Sequence, residues 1–97
     1  MWRYFTVATN TLTDEQSKAL VEAWRPYPWW HHLPNFWLIK DSTGALSAVA
    51  LRDKVMSAAP GVRAMVLEIT PKDWAGVFPN EGPVRDWLRS TWPPEAP

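Results

Sequence analysis

Two adjacent histidines, His31 and His32, and a scatter of carboxylates at Asp14, Asp41, Glu68 and Asp73 are the side chains of this 97-residue sequence that could do acid–base or metal chemistry. Histidine titrates near neutrality and ligates metals, so the pair is the first place to look for a general acid or base. On an extended strand, however, neighbours point to opposite faces, and two such rings cannot chelate one ion together. The expected roles are structural: one ring hydrogen-bonded beneath a sheet, the other exposed at an edge. Asp14 follows Thr13 and precedes Glu15 and Gln16, the pattern of a capping box with acids in the first helical turn. Asp41, Glu68 and Asp73 sit near expected strand ends at spacings that define no acid–base pair, and read as solvated end residues. No glycine-rich phosphate loop, Ser-His-Asp order or helical His-Glu-x-x-His motif occurs. Neither a cofactor nor a metal ligand set is expected, and an enzyme is the less favoured reading.

The remaining candidates are for binding. Arg85 and Arg89 lie one helical turn apart, with Arg63 or Lys72 available to extend a basic patch; the alternative is a solvated helix face with Asp86 between the arginines. Trp74 and Trp92, near a loop and a chain end, are expected to be partly exposed, where they could stack on a base or anchor a protein. Ten basic and ten acidic residues give zero formal net charge, which lacks the electrostatic footprint of phosphate-backbone binding and favours a protein partner. Eight tryptophans are the compositional outlier. At about 200 Å² each, they either fill the core or form an exposed contact surface. With no cysteine there is no disulfide, thiolate nucleophile or zinc–cysteine site. Neither a leader nor a long uncharged apolar run is visible, so a cytoplasmic chain without a membrane segment is expected.

These residues need a scaffold, and the pattern supplies one. Residues 2–9 are aromatic and β-branched without Gly or Pro, a strand. Ala19, Leu20, Ala23 and Trp24 make one stripe of a helix from about residue 14 to 24, stopped by Pro26 and Pro28. Residues 29–33 and 36–41 form a hairpin about Pro34-Asn35. Ser47 caps a second helix, with Leu46 and Leu51 placed as a hydrophobic staple and Pro60-Gly61 as its stop. Residues 63–69 are a fourth strand. Pro83 opens a last helix with Val84, Trp87, Leu88 and Thr91 or Trp92 on its apolar face. One domain, 1–92, and a proline-rich tail, 93–97, are expected.

Strand, helix, strand, strand, helix, strand and a final helix is a ferredoxin-like βαββαβ α+β arrangement with an added C-terminal helix. The central first and third strands contain no proline, whereas the second is flanked by Pro28 and Pro34, as an edge position allows. The strands are apolar on both faces: Phe36 and Leu38 oppose Trp37 and Ile39, and Ala64 and Val66 oppose Met65, Leu67 and Ile69. Two helices cover one face. The other must be covered by the last helix or by a second copy, and a homodimer through the sheet is the preferred expectation.

The run 29–33 (Trp-Trp-His-His-Leu), then residues 37–40, Leu51-Arg52-Asp53, residues 66–69, Asp73-Trp74-Ala75-Gly76 and Asp86-Trp87-Leu88 resemble small bacterial and phage proteins labelled SinR-like. Those are similar to the CRISPR adaptation nuclease Cas two and to VapD ribonucleases. The resemblance implies a ferredoxin-like homodimer and a phage or mobile-element role in host interaction or defence. It also raises a metal-dependent endoribonuclease or toxin as an alternative, with Asp14, His31 and His32 as its candidates; the tryptophans and arginines themselves leave a nucleotide or nucleic-acid binding module as another. Those nucleases carry an acid at the end of the first strand. Here that strand ends Ala8-Thr9-Asn10-Thr11, without the carboxylate that would activate water on a metal.

Overall fold

The computed structural model describes residues 2–72, 74–79 and 82–92. The elements run β1 (Arg3–Thr9), α1 (Asp14–Trp24), β2 (Trp29–Leu33), β3 (Phe36–Asp41), α2 (Ala48–Ala58), β4 (Ala64–Ile69) and α3 (Gly82–Thr91). The four strands form one antiparallel sheet in the order β2-β3-β1-β4. This α+β arrangement is compatible with a ferredoxin-like kind of fold. β2 lies at an edge, where its flanking prolines cost no ladder hydrogen bond.

Local chemistry sets the helix starts. Thr13 Oγ1 accepts from the Gln16 N–H at 3.1 Å while the Gln16 side chain accepts from the Thr13 N–H at 2.9 Å, closing the capping box. Ser47 Oγ accepts from the Ala50 N–H, and the staple residues Leu46 and Leu51 are both buried. Gly61, at φ +84°, takes the left-handed turn that leads out of α2 toward β4.

The sheet carries a core on each face. On the first, α1 and α2 pack Leu20, Trp24, Leu51 and Val55 against Phe5, Val7, Trp37 and Ile39. On the second, Tyr4, Trp30 and Leu38 meet Phe78, Val84, Leu88 and Trp92. The last helix therefore covers part of the second face itself, which narrows the expectation that a second copy does so. Along the row that runs through Trp30 the cover fades toward β4: Trp30, Leu38, Thr6 and Leu67 are neighbours, the first two buried, Thr6 half-buried and Leu67 52% exposed.

α3 is fixed at both ends. Trp30 Nε1 donates to the Val84 carbonyl at 3.2 Å near its start. Lys40 Nζ donates to the Thr91 carbonyl at 2.9 Å at its end, where a cation also complements the helix dipole. No helix among the described residues is long and apolar enough to cross a membrane.

Candidate binding site

The tryptophans resolve the choice between core and surface largely in favour of core. Trp24, Trp30, Trp37 and Trp92 are buried, Trp29, Trp74 and Trp87 are half-buried, and Trp2 alone of the eight is largely exposed. The expectation of partial exposure fails for Trp92, which is 3% exposed. It caps α3 on the sheet side, where Tyr4 meets it edge-to-face at 4.9 Å, so its surface is spent on packing. Trp74 does remain half-exposed, at the margin of the second core.

Trp74 and Trp92 line a partly open cavity of about 260 Å³ between the sheet, the segment 71–78 and α3. Trp30, Phe36, Phe78 and Leu88 complete most of its wall, and the Thr6 hydroxyl is the polar group on its sheet side. Gly76 is what lets the segment lie so close: a Cβ there would collide with the ring of Phe78. The Asp-Trp-Ala-Gly run thus has a packing reason for its glycine, although Asp73 itself lies outside the described residues. The second face keeps an uncovered quadrant, where Leu33, which also lines the cavity, and Met65 and Leu67 are 46%, 64% and 52% exposed. Sequence reasoning missed Leu33, Phe36, Phe78 and Thr6 as site residues. Two-sided apolar strands signalled the quadrant, but no pattern in the sequence revealed which part α3 would leave open.

The histidines lie on opposite sides of β2. His31 stacks flat on Trp37, ring centroids 3.5 Å apart, and its Nδ1 is 2.9 Å from the Phe36 carbonyl oxygen. A carbonyl only accepts, so Nδ1 carries the proton. His32 is exposed and meets Trp30 edge-on. Asp14 is an exposed first-turn residue of α1. No group of three His, Asp or Glu side chains among the described residues could hold a metal, so Asp14, His31 and His32 form no such set. At the end of β1, Asn10 ties the sheet: its N–H donates to the Arg63 carbonyl and its Oδ1 accepts from the Arg63 N–H.

Arg85 is half-buried and Arg89 exposed on α3. Arg63 and Lys72 flank opposite ends of β4, a strand of roughly 20 Å, so both cannot join one patch with them.

Two carboxylates are not simple solvated ends. Asp41 is 1% exposed. Its Oδ1 accepts from the Thr43 N–H and hydroxyl at 2.9 and 2.7 Å, and its Oδ2 from the Leu46 N–H at 2.7 Å. Burial pushes this carboxyl up, but the converging donors outweigh burial and leave it below the ordinary carboxylate value. The carboxylate organises the turn from β3 into α2, and polar sequence context disguised it as a surface residue. Glu68 receives both Arg3 Nε and Nη2, at 2.8 and 2.6 Å, which lowers its proton affinity. That fork joins β1 to β4 on the helix-covered face.

No family model, curated protein or solved structure matches this chain.

Proposed function

We propose that the chain is a non-catalytic, ferredoxin-like homodimer of the SinR-like kind that acts by binding a protein, receiving one bulky apolar side chain of that partner in the aromatic cavity. The cavity carries this reading. Its volume, about 260 Å³, is below the range of roughly 300–1,000 Å³ usual for small-molecule sites and suits a single Leu, Phe or Trp side chain. Aromatic walls with one hydroxyl favour an apolar anchor surrounded by less critical contacts. Zero net charge and the separation of Arg63 from Lys72 weigh against a nucleic-acid phosphate track. The resemblance supplies a setting, that of a phage or mobile-element factor directed at a host protein.

Selection from a random peptide display library on the immobilised chain tests the proposal. Enriched peptides should share a bulky apolar anchor, shift the emission of Trp74 on binding, and lose affinity when Ala75→Trp fills the cavity. Failure to enrich any peptide, or equal binding by Ala75→Trp, would overturn it.

A further inference from the structure

We infer that two copies of this chain join edge to edge, β4 against β4 in antiparallel order, to make one continuous eight-stranded sheet. The inference rests on the homodimer reading above and specifies the surface that forms it.

The two sheet edges are treated in opposite ways. An edge strand exposes a row of unpaired backbone groups, and proteins that stay monomeric guard it with Pro, Lys, bulges or covering elements. β2 is guarded: Pro28 and Pro34 flank it, and its register breaks between Trp30 and Leu33. β4 has no proline, lysine or register break over its six residues, and the prolines nearest to it, Pro60 and Pro71, are not adjacent to its ends. Among the described residues no strand pairs with its outer side.

Exposed apolar side chains gather at this same edge, from two elements. Met65 and Leu67 stand out from the second face of β4, and Val49 and Met56 are 57% and 62% exposed on α2. Ala50, Lys54 and Ser57 of α2 line a surface hollow shared with Ala19, Glu22 and Ala23 of α1. At 100° per residue, positions 49 and 56 lie roughly a third of a turn from both that hollow and the buried Leu51 and Val55, on the flank of α2 turned away from α1. Four of the seven large exposed hydrophobics among the described residues thus lie on β4 or on the helix next to it.

The strand is also self-complementary. With a twofold axis at Leu67, that residue faces its own copy, Met65 faces Ile69 and Val66 faces Glu68. Glu68 is the single charge in the strand, and Arg3 already neutralises it. No like charges therefore oppose each other, and the chain carries no net charge to repel its copy. A specific interface buries about 1,200 Å² or more in total, and β4 with the α2 flank on both copies is the surface this pairing would bury. Such pairing puts both aromatic cavities on the same face of the joined sheet.

The absence of cysteine allows a direct test with single-thiol variants. Sedimentation velocity at micromolar concentration should give a dimer. Leu67→Cys should then cross-link under mild oxidation while Leu33→Cys, at the other edge, should not. Leu67→Lys sets two ammonium groups opposite each other and should weaken the dimer by at least about tenfold. A dimer in which Leu67→Cys stays uncross-linked overturns the edge pairing and leaves self-association standing. A monomer overturns both, while the peptide selection judges the cavity separately. Should Leu67→Cys lose its far-UV circular dichroism, mixing Met65→Cys with Ile69→Cys chains poses the same question, because those positions face each other in this register.

Discussion

The two cores differ in how they are closed. The helix-covered core is sealed from two sides: Phe5, Val7, Leu20, Trp24, Trp37, Ile39 and Leu51 are all fully buried. The second core is closed by one helix and an irregular segment, and its cover thins across the sheet from Trp30 to Leu67. A face sealed by two helices has only a structural task left, whereas a face sealed by one keeps a cavity and an apolar margin for something else. The difference teaches that surplus aromatic residues here thicken the fold first and serve recognition only where the covering helix stops.

Paired truncations test whether the cores are separable. Trp37→Ala removes a ring packed against Trp24, Trp29 and His31 and should cost about 3–5 kcal/mol in chemical denaturation, lowering hydrogen-exchange protection across the whole sheet. Trp92→Ala should cost less, about 2–3 kcal/mol, with lost protection concentrated in α3. Equal, global loss in both variants would show one cooperative unit and break the distinction.

Asp41 belongs to the sealed side, at the turn into α2. In Asp41→Asn an amide N–H must face one of the donors the carboxylate now accepts, which should cost about 2 kcal/mol at neutral pH. Because the folded carboxyl lies below its ordinary value, its contribution is complete above that value and disappears as pH falls through the lower folded one. An acid titration of stability should therefore be steeper in the wild type than in Asp41→Asn, and parallel curves would contradict the assignment.

The smallest effect is on the thinly covered side. Tyr4 Oη is buried without a hydrogen-bond partner, and burial raises its proton affinity. Tyr4→Phe should leave stability unchanged or raise it by up to about 1 kcal/mol. A loss instead would reveal a polar contact within the second core.

Much of the scaffold was legible in the sequence because local signals agreed with one another. The Thr13 capping box, the Ser47 cap with its Leu46–Leu51 staple, the Pro34-Asn35 turn and the alternation in residues 36–39 each name an element or a face without tertiary information. The site was less legible. Trp92 reads as a partly exposed aromatic near the end of the last helix until Tyr4, far away in sequence, is seen to receive it. Asp41 reads as a surface acid until Thr43 and Leu46 turn their donors inward. Both errors share a cause: burial of a residue near a loop depends on what folds over it, which spacing does not encode.

The central place of β1 has a consequence for the order of events during synthesis. Its partners are β3 and β4, so β1, made before either, stays single until α1 and β2 have followed it and the third strand arrives. Both of its ladders are long-range, a topology that slows folding relative to local pairing. Throughout that wait the aromatic stretch of β1 has no strand to pair with, and the capping box at the start of α1 is the local contact next to it in the chain.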